Sequence, residues 1–264
     1  MERYDEALAL SGLSAGYARR PVIEQLSLAG MLPGQVVSLI GPNAAGKTTL
    51  LRAVAGLHPA EGSIRLGGRE LLGMPLADRA RLVTYMPQSL PQKVALSVLE
   101  AVTSALRASP AEGSAATEEQ LLERALDVVE RVGIAPLAMV GLDQLSGGQR
   151  QLASLAQALV RRPRVLLLDE PISALDLHYQ LRVMQLVRTL SREQGMIVVM
   201  VLHDLAIAAR WSDRVVVLQD GRVAADGVPA AAITEAVLAE VYRVKGRVEQ
   251  APAGLHILID DILS

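Results

Sequence analysis

The stretch VVSLIGPNAAGKTT, residues 36–49, decides the fold of this chain. Its first five residues predict a buried strand, and GPNAAGKT, from Gly41 to Thr48, matches the pattern G-x-x-x-x-G-K-[ST]. The backbone N–H groups of such a loop, with the start of the next helix, form a concave positive site for phosphate oxygens. Lys47 adds a full charge toward the β- and γ-phosphates, and Thr48 offers a hydroxyl to Mg²⁺. The stretch therefore predicts a phosphate site between a strand and a helix.

Other segments place this loop in an α/β fold. Apolar, β-branched runs without polar alternation indicate strands buried on both faces of a mostly parallel sheet. These runs are Val36–Ile40, Val165–Leu168, Ile197–Leu202 and Val215–Leu218, and a helix is predicted over Lys47–Ala55. The first 35 residues and Gly62–Leu66 alternate and contain Gly and Pro, which favours an additional antiparallel layer. Asp220-Gly221, between Arg214–Gln219 and Arg222–Ala225, predicts a hairpin with a type I′ turn.

Residues 97–160 have a helical character. Apolar residues recur at helical spacing over 121–132, and Gly133 ends that predicted helix. We therefore predict a single domain over residues 1–264, in which an α/β core carries an N-terminal antiparallel β subdomain and an inserted helical subdomain. The core comprises 1–88 and 161–225, the helical subdomain 89–160, and a C-terminal segment 226–264.

Composition excludes several classes of function. The 264 residues carry a net charge of −2, which argues against a basic nucleic-acid-binding groove. Five Tyr, one Trp and no Phe leave few side chains for stacking on bases. The absence of cysteine excludes disulfides, thiol catalysis and thiolate metal sites. The strongest apolar run, Met196–Leu202, is far shorter than the roughly 20 residues of a membrane-spanning helix. We therefore expect a soluble, cytoplasmic protein.

Two acids follow the strand VLLLDE, residues 165–170. Strand ends are where ligands lie in α/β sheets. Asp169 can hold the magnesium shell, and Glu170, pointing to the other side of the strand, can polarise a water molecule. Alone, such a pair also fits a solvated turn or a helix cap. Beside a phosphate loop, the catalytic interpretation is favoured.

A second phosphate-like signal is LSGGQ, residues 145–149. Ser146 and Gln149 have the spacing of a capping box in front of a helix, and the two glycines leave the amides of its first turn uncovered. By itself the motif is explained by a well-capped helix. One chain has little use for two independent γ-phosphate sites, however, so the second site is expected to complete a nucleotide held by another copy.

Together these motifs resemble the nucleotide-binding subunit of an ABC transporter, in the order found in that family and over nearly the whole chain. Walker A is GPNAAGKT, the signature is LSGGQ and Walker B is VLLLDE. The glutamine loop is Tyr85-Met86-Pro87-Gln88, the D-loop is Ser173-Ala174-Leu175-Asp176, and the switch histidine is His203. The resemblance implies a P-loop NTPase core of the RecA-like type.

The resemblance also implies a head-to-tail homodimer with two ATP molecules, each between Walker A of one subunit and the signature of the other. Tyr17 would stack on adenine. Glu170 would orient the attacking water, His203 would sense the γ-phosphate, and Thr48, Gln88 and Asp169 would serve Mg²⁺. The remaining nucleotide contacts would come from Gly41, Pro42, Asn43, Ala44, Ala45, Gly46, Lys47, Thr49, Ser146, Gly147, Gly148, Gln149 and Asp176.

Two residues depart from the family pattern. Ala44 replaces a common glycine, which is tolerable if its backbone does not need a positive φ, and Ile172 stands where Thr is usual. Neither change removes a reactive group, so we expect an active ATPase.

Local similarity outside the catalytic motifs points to importers of siderophores, haem and vitamin B12. The permease would be a separate integral membrane protein, served by a substrate-binding protein, and this subunit would lie on the cytoplasmic face of the inner membrane. Residues 88–107 would dock the permease, with Ser89, Leu90 and Gln92 at the contact.

The competing class is a soluble ABC-type ATPase that acts on nucleic acid or ribosomes. Repair-type members need coiled-coil or zinc insertions between Walker A and the signature, and translation-type members need two cassettes. This chain has neither, so no nucleic-acid partner is expected. A P-loop kinase would leave LSGGQ and His203 unexplained.

Overall fold

The computed structural model describes residues 6–17, 20–88, 95–108, 117–251 and 254–263. The described helices are α1 Lys47–Ala55, α2 Leu76–Leu82, α3 Val98–Arg107, α4 Glu118–Val132, α5 Gly147–Leu159, α6 Leu177–Gln194, α7 Leu205–Trp211, α8 Pro229–Ala232 and α9 Glu235–Tyr242. The described strands are β1 Leu8–Tyr17, β2 Arg20–Met31, β3 Val36–Ile40, β4 Ala60–Leu66, β5 Arg69–Glu70, β6 Val83–Met86, β7 Val165–Asp169, β8 Ile197–Val201, β9 Arg214–Gln219, β10 Arg222–Gly227, β11 Val244–Ala251 and β12 Gly254–Ile262.

A six-stranded sheet carries the four predicted apolar strands. Its order is β10-β9-β3-β8-β7-β6, parallel except for the edge strand β10. Every residue of β3, β7 and β8 is buried, as the continuous apolar runs predict. The hairpin between β9 and β10 turns at Asp220 and Gly221, whose φ angles are 47° and 76°. Both angles are left-handed, as a type I′ turn requires, so the predicted turn is confirmed.

The predicted antiparallel layer is also confirmed. It is a four-stranded sheet in the order β2-β1-β4-β5. Alternate residues of β7 face opposite sides: Val165 and Leu167 pack in the cluster that contains α1 and the antiparallel strands, whereas Leu166 and Leu168 pack with the helical region. This alternation turns Asp169, the next residue of the first set, toward α1.

The predicted capping box of Ser146 and Gln149 forms at the start of α5. Thr117 and Gln120 form another at the start of α4, which the sequence analysis did not predict. Gly133 ends α4 with a φ of 87°, the left-handed conformation that favours glycine at this position. Ser89, Leu90 and Gln92, predicted to contact a permease, lie outside the described residues.

The C-terminal segment forms structure that the sequence analysis left open. Strands β11 and β12 make a separate two-stranded antiparallel sheet, which packs against α9 and α7. Among the described residues, no helix is long and apolar enough to cross a membrane.

Candidate nucleotide site

Helix α1 begins directly after the phosphate loop, and its first turn has no side-chain cap. Helix α1 begins after Gly46, whose φ is 99°, and no side chain caps it or places an acid in its first turn. A Cβ on Gly46 would lie 2.6 Å from Ile23 Cδ1, and one on Gly41 would lie 2.1 Å from the Leu218 carbonyl oxygen. Both positions therefore require glycine, and the first amides of α1 remain available to an anion.

The condition stated for Ala44, that its backbone does not need a positive φ, is not met, since its φ is 64°. The turn around it is closed by the Ala45 amide, which donates to the Pro42 carbonyl at 3.3 Å, and by the Gly221 amide, which donates to the Ala45 carbonyl at 3.2 Å. These two bonds hold the loop in a shape that forces its middle residue into the left-handed region. For alanine that conformation costs roughly 1–2 kcal/mol.

Lys47 lies folded over the phosphate loop. Its Nζ donates to the carbonyl oxygens of Gly41 and Pro42, both at 2.7 Å, and the residue is 6% exposed. Burial lowers the pKa of Lys47, and the negative charges of Glu170 and Asp169 oppose that shift. The ammonium is thus already positioned at the loop that is expected to hold phosphate.

Asp169, the last residue of β7, accepts hydrogen bonds from a side chain of α1 and from one of the neighbouring strand β6. Its Oδ1 accepts from Thr48 Oγ1 at 3.1 Å, and its Oδ2 accepts from Tyr85 Oη at 2.9 Å. Burial raises the pKa of Asp169, while the hydrogen bonds from Tyr85 and Thr48 oppose that rise. The sequence analysis placed Tyr85 only in the glutamine-loop motif and assigned it no contact.

Glu170 collects the other predicted catalytic residues. Gln88 Nε2 donates to its Oε2 at 2.6 Å, and His203 Nε2 lies 2.7 Å from its Oε1. The φ of Glu170 is 53°, a left-handed conformation that is costly for this residue and that typically occurs at functional sites. Gln151, which sequence reasoning missed, holds this backbone: its Nε2 donates to the Glu170 carbonyl at 2.5 Å and its Oε1 accepts from the Ala174 amide at 3.0 Å.

A cavity of about 690 Å³ lies beside the phosphate loop, Glu170 and His203. Its lining includes most of the predicted Walker A residues and two of the three predicted catalytic residues: Asn43, Ala44, Ala45, Gly46, Lys47, Thr48, Thr49, Glu170 and His203. Tyr17 lies at its edge, 50% exposed, with its ring centroid 4.5 Å from that of His58. A ring nitrogen of His58 lies 2.8 Å from the Gly16 carbonyl oxygen. His58, to which the sequence analysis gave no role, therefore packs against the ring of Tyr17.

The signature residues lie elsewhere. Ser146, Gly148, Gln149 and Asp176 line a second cavity of about 600 Å³, which shares no lining residue with the first. Gln149 N–H donates to Ser146 Oγ at 3.3 Å, and Ser146 N–H donates to Gln149 Oε1 at 2.9 Å. Gly147 occupies the first turn of α5.

Asp176 and Gly148 also have local structural duties. Asp176 Oδ1 accepts from the Tyr179 amide at 3.1 Å and so caps α6. A Cβ on Gly148 would lie 3.0 Å from the Ala174 carbonyl oxygen, so α5 approaches the D-loop closely. The structure thus gathers the Walker and switch residues at one cavity and the signature residues and Asp176 at another.

Comparison with known proteins shows the family of this chain. The family model described as ABC transporter matches residues 23–173, more than half of the chain. The chain is 37% identical to a hemin import ATP-binding protein of Bordetella avium, over 93% of this chain and 95% of that protein. It is 40% identical to a petrobactin import ATP-binding protein of Bacillus anthracis, over 80% of this chain and 78% of that protein.

A solved structure is similar over most of the fold. It is a dimeric ATP-binding cassette in a post-hydrolysis state bound to ADP and Pi, with a TM-score of 0.76 and 26% identity over 84% of this chain and 98% of that one. The P-loop NTPase fold with an antiparallel β subdomain and a helical region is therefore confirmed. The chain belongs to the ABC transporter family as an ATP-binding protein that hydrolyses ATP.

Proposed function

We propose that this chain is the ATPase subunit of an importer for metal chelates of the siderophore, haem or cobalamin type. Two copies bind two ATP molecules head to tail, and their closure and reopening drive a separate membrane permease. The observation that carries the dimer is the separation of the two cavities, because Ser146 and Gly148 share no cavity with Lys47 in the same chain. The hemin and petrobactin import proteins support the cargo class.

ATP would lie in the larger cavity of each chain. Tyr17 stacks on the base, the open start of α1 and Lys47 bind the phosphates, and the first-turn amides of the partner's α5 reach the γ-phosphate. Asp176 of the D-loop and Ser146 and Gly148 of the signature belong to the partner's half of the site. Placing the γ-phosphate between two chains makes hydrolysis depend on closure.

The donor set beside the loop fits Mg²⁺. The Thr48 hydroxyl and the Asp169 carboxylate are hard oxygen donors held 3.1 Å apart, and Gln88 lies two residues beyond the end of the neighbouring strand β6. Protein sites for Mg²⁺ use one or two carboxylates and leave the remaining positions to phosphates and water. When bound, the ion would neutralise charge on the β- and γ-phosphates. We propose Thr48, Gln88 and Asp169 as the residues that hold it.

Hydrolysis would use Glu170 and His203 together. Glu170 orients a water molecule and accepts its proton as the water oxygen bonds to the γ-phosphorus and the bond to the β–γ bridging oxygen breaks. His203, 2.7 Å from Glu170 in this structure, holds that carboxylate and contacts the γ-phosphate after closure. Gln88 and the strained backbone at Glu170 add positioning, which is the main demand of phosphoryl transfer.

Light scattering of the purified chain tests the ATP-driven dimer. Glu170→Gln with ATP and Mg²⁺ is expected to run as a stable dimer, because binding is retained and the carboxylate that promotes hydrolysis is gone. Lys47→Ala, the matched control, is expected to remain monomeric under the same conditions. A monomeric Glu170→Gln protein that binds ATP normally would contradict the head-to-tail dimer.

Affinity purification from detergent-solubilised membranes tests the transport role. We expect the chain to copurify with an integral membrane protein at the cytoplasmic face of the inner membrane, through residues 88–107. Copurification with nucleic acid or ribosomes instead would favour the competing class of soluble ATPase.

A further inference from the structure

Tyr85 makes a contact at the nucleotide site that none of the sequence motifs requires. It lies in β6, three residues before Gln88, and its hydroxyl donates to Asp169 Oδ2 at 2.9 Å. Asp169 is 3% exposed, and its other oxygen accepts from Thr48 at 3.1 Å. Each carboxylate oxygen therefore has one side-chain donor, one from α1 and one from β6.

The hydroxyl of Tyr85 is itself held in place. Arg52 Nε donates to it at 3.4 Å, and Arg52 lies one helical turn beyond Thr48 on α1. Helix α1 thus reaches Asp169 twice, directly through Thr48 and indirectly through Arg52 and Tyr85.

We propose that Tyr85 is a positioning residue for metal-dependent nucleotide binding, because its hydroxyl fixes the Asp169 carboxylate in the orientation that presents Oδ1 beside Thr48. This inference rests on the proposed role of Asp169 at Mg²⁺. Tyr85 is not among the residues that line the larger cavity. It acts through Asp169, as partners behind a metal ligand commonly do.

The size of the effect follows from what the carboxylate would lose. Without the Tyr85 hydroxyl, a buried oxygen of Asp169 has one donor fewer, and the side chain can rotate away from Thr48 to find another. Loss of such supporting hydrogen bonds typically lowers metal affinity about 10- to 100-fold. The phenyl ring packs against the core cluster beside α1, and Phe preserves that packing.

Calorimetry with the non-hydrolysable analogue AMP-PNP separates this role from a structural one. The dissociation constant is measured once in EDTA and once in Mg²⁺, and the ratio of the two is the metal-dependent gain in affinity. Tyr85→Phe is expected to reduce that gain about tenfold while the affinity in EDTA stays within about twofold of the unmodified chain. Unfolding midpoints of both proteins confirm that the variant is folded.

Tyr242→Phe is the matched control. Tyr242 lines a cavity together with Pro42, Asn43 and Ala45 of the phosphate loop, and burial raises the pKa of its hydroxyl. The Tyr242→Phe variant therefore loses a buried tyrosine hydroxyl near the phosphate loop that makes no contact with the Asp169 carboxylate. Any change in affinity is expected to be equal in EDTA and in Mg²⁺, which leaves the gain unchanged.

Asp169→Asn distinguishes failure of this inference from failure of the proposed function. If Asp169→Asn abolishes the gain and Tyr85→Phe leaves it intact, the positioning role of Tyr85 is wrong and the metal role of Asp169 stands. If Asp169→Asn leaves the gain intact, the metal role fails and the inference fails with it. Equal losses in EDTA and in Mg²⁺ for Tyr85→Phe would show a structural role only.

Discussion

Two helix starts in this molecule carry glycine-rich motifs, and they are built in opposite ways. The start of α1 has no side-chain cap, and its first two residues, Lys47 and Thr48, lie near Asp169. At the start of α5 the capping box occupies the amides of Ser146 and Gln149. This helix start borders a cavity whose lining includes apolar side chains such as Leu137 and Leu152. A helix start attracts anions in both cases, but only the first is accompanied by the groups that hydrolysis needs.

The difference explains why the two motifs serve one reaction in the proposed dimer. In that proposal the α1 site holds the charge, the metal donors and the water-orienting carboxylate, so it would determine whether hydrolysis occurs. The α5 site adds amides and a hydroxyl without acid or base chemistry of its own, so it would determine when the γ-phosphate is enclosed. The following substitutions should affect the two regions differently.

The largest effect is expected at the α1 site, for Glu170→Gln. The carboxylate that accepts the proton of water is lost, whereas Lys47 and Thr48 keep their phosphate and metal contacts. Turnover of ATP should fall about 10²- to 10⁴-fold with little change in nucleotide affinity. Steady-state hydrolysis together with calorimetric binding checks this, and near-normal turnover would show that Glu170 is not the water-orienting group.

The other end of α1 should show the largest change in stability. Arg79, 4% exposed, donates to the carbonyl oxygens of Val54, Leu71 and Ala53 at 3.0, 3.3 and 2.8 Å. Arg79→Met would leave these buried acceptors without their charged donor, and the free energy of unfolding should fall by about 2–4 kcal/mol. Arg79 and Arg81 both lie in α2, and Arg81 is exposed. Arg81→Met is therefore the matched control and should change the free energy of unfolding by less than about 0.5 kcal/mol. Equal denaturation midpoints for the two variants would contradict this assignment.

A smaller effect is expected at α5, for Ser146→Ala. Loss of the cap should lower the free energy of unfolding by about 1 kcal/mol, and loss of the hydroxyl at the partner's phosphate should lower turnover roughly 10-fold. Thr117→Ala removes the same kind of capping box from α4, away from both cavities. It should show the stability loss alone. If both variants hydrolyse ATP equally well, the cap is the whole role of Ser146.

The smallest effect is expected for Ala44→Gly in the phosphate loop. Glycine relieves the left-handed strain at a φ of 64°, and the free energy of unfolding should rise by roughly 0.5–1 kcal/mol. Ala45→Gly, the adjacent control, is buried and outside the left-handed region, so it should be destabilising by a similar amount. Chemical denaturation of both variants measures the opposite signs, and equal signs would exclude backbone strain as the cause.

The sequence predicted most of the fold because its patterns are local. The buried strands, the helix starts at Ser146 and Lys47, and the turn at Asp220-Gly221 each depend on a few consecutive residues. The positive φ of Ala44 could not be predicted in this way, because the loop around it is closed partly by a hydrogen bond from Gly221, far along the chain.

The parts of the site that sequence reasoning missed depend on long-range pairing. Tyr85 meets Asp169 only because β6 lies beside β7 with Tyr85 opposite Leu167, a register that no local pattern specifies. His58, two residues before β4, lies beside Tyr17 because β4 pairs with β1, and Gln151 spans from α5 to Glu170. A tyrosine three residues before Gln88 was the available sequence signal for the first of these contacts.

The central claim is that the phosphate loop of one chain works with the signature of the other, and mixing two inactive variants tests it most directly. Lys47→Ala and Gly148→Asp subunits, each shown to be folded by circular dichroism, are assayed alone and after mixing. In the mixed dimer one composite site carries both lesions and the other carries none. We predict that single-turnover hydrolysis, absent in each variant alone, returns on mixing. A mixture as inactive as its parents, or a Gly148→Asp protein that hydrolyses ATP by itself, would contradict the shared site.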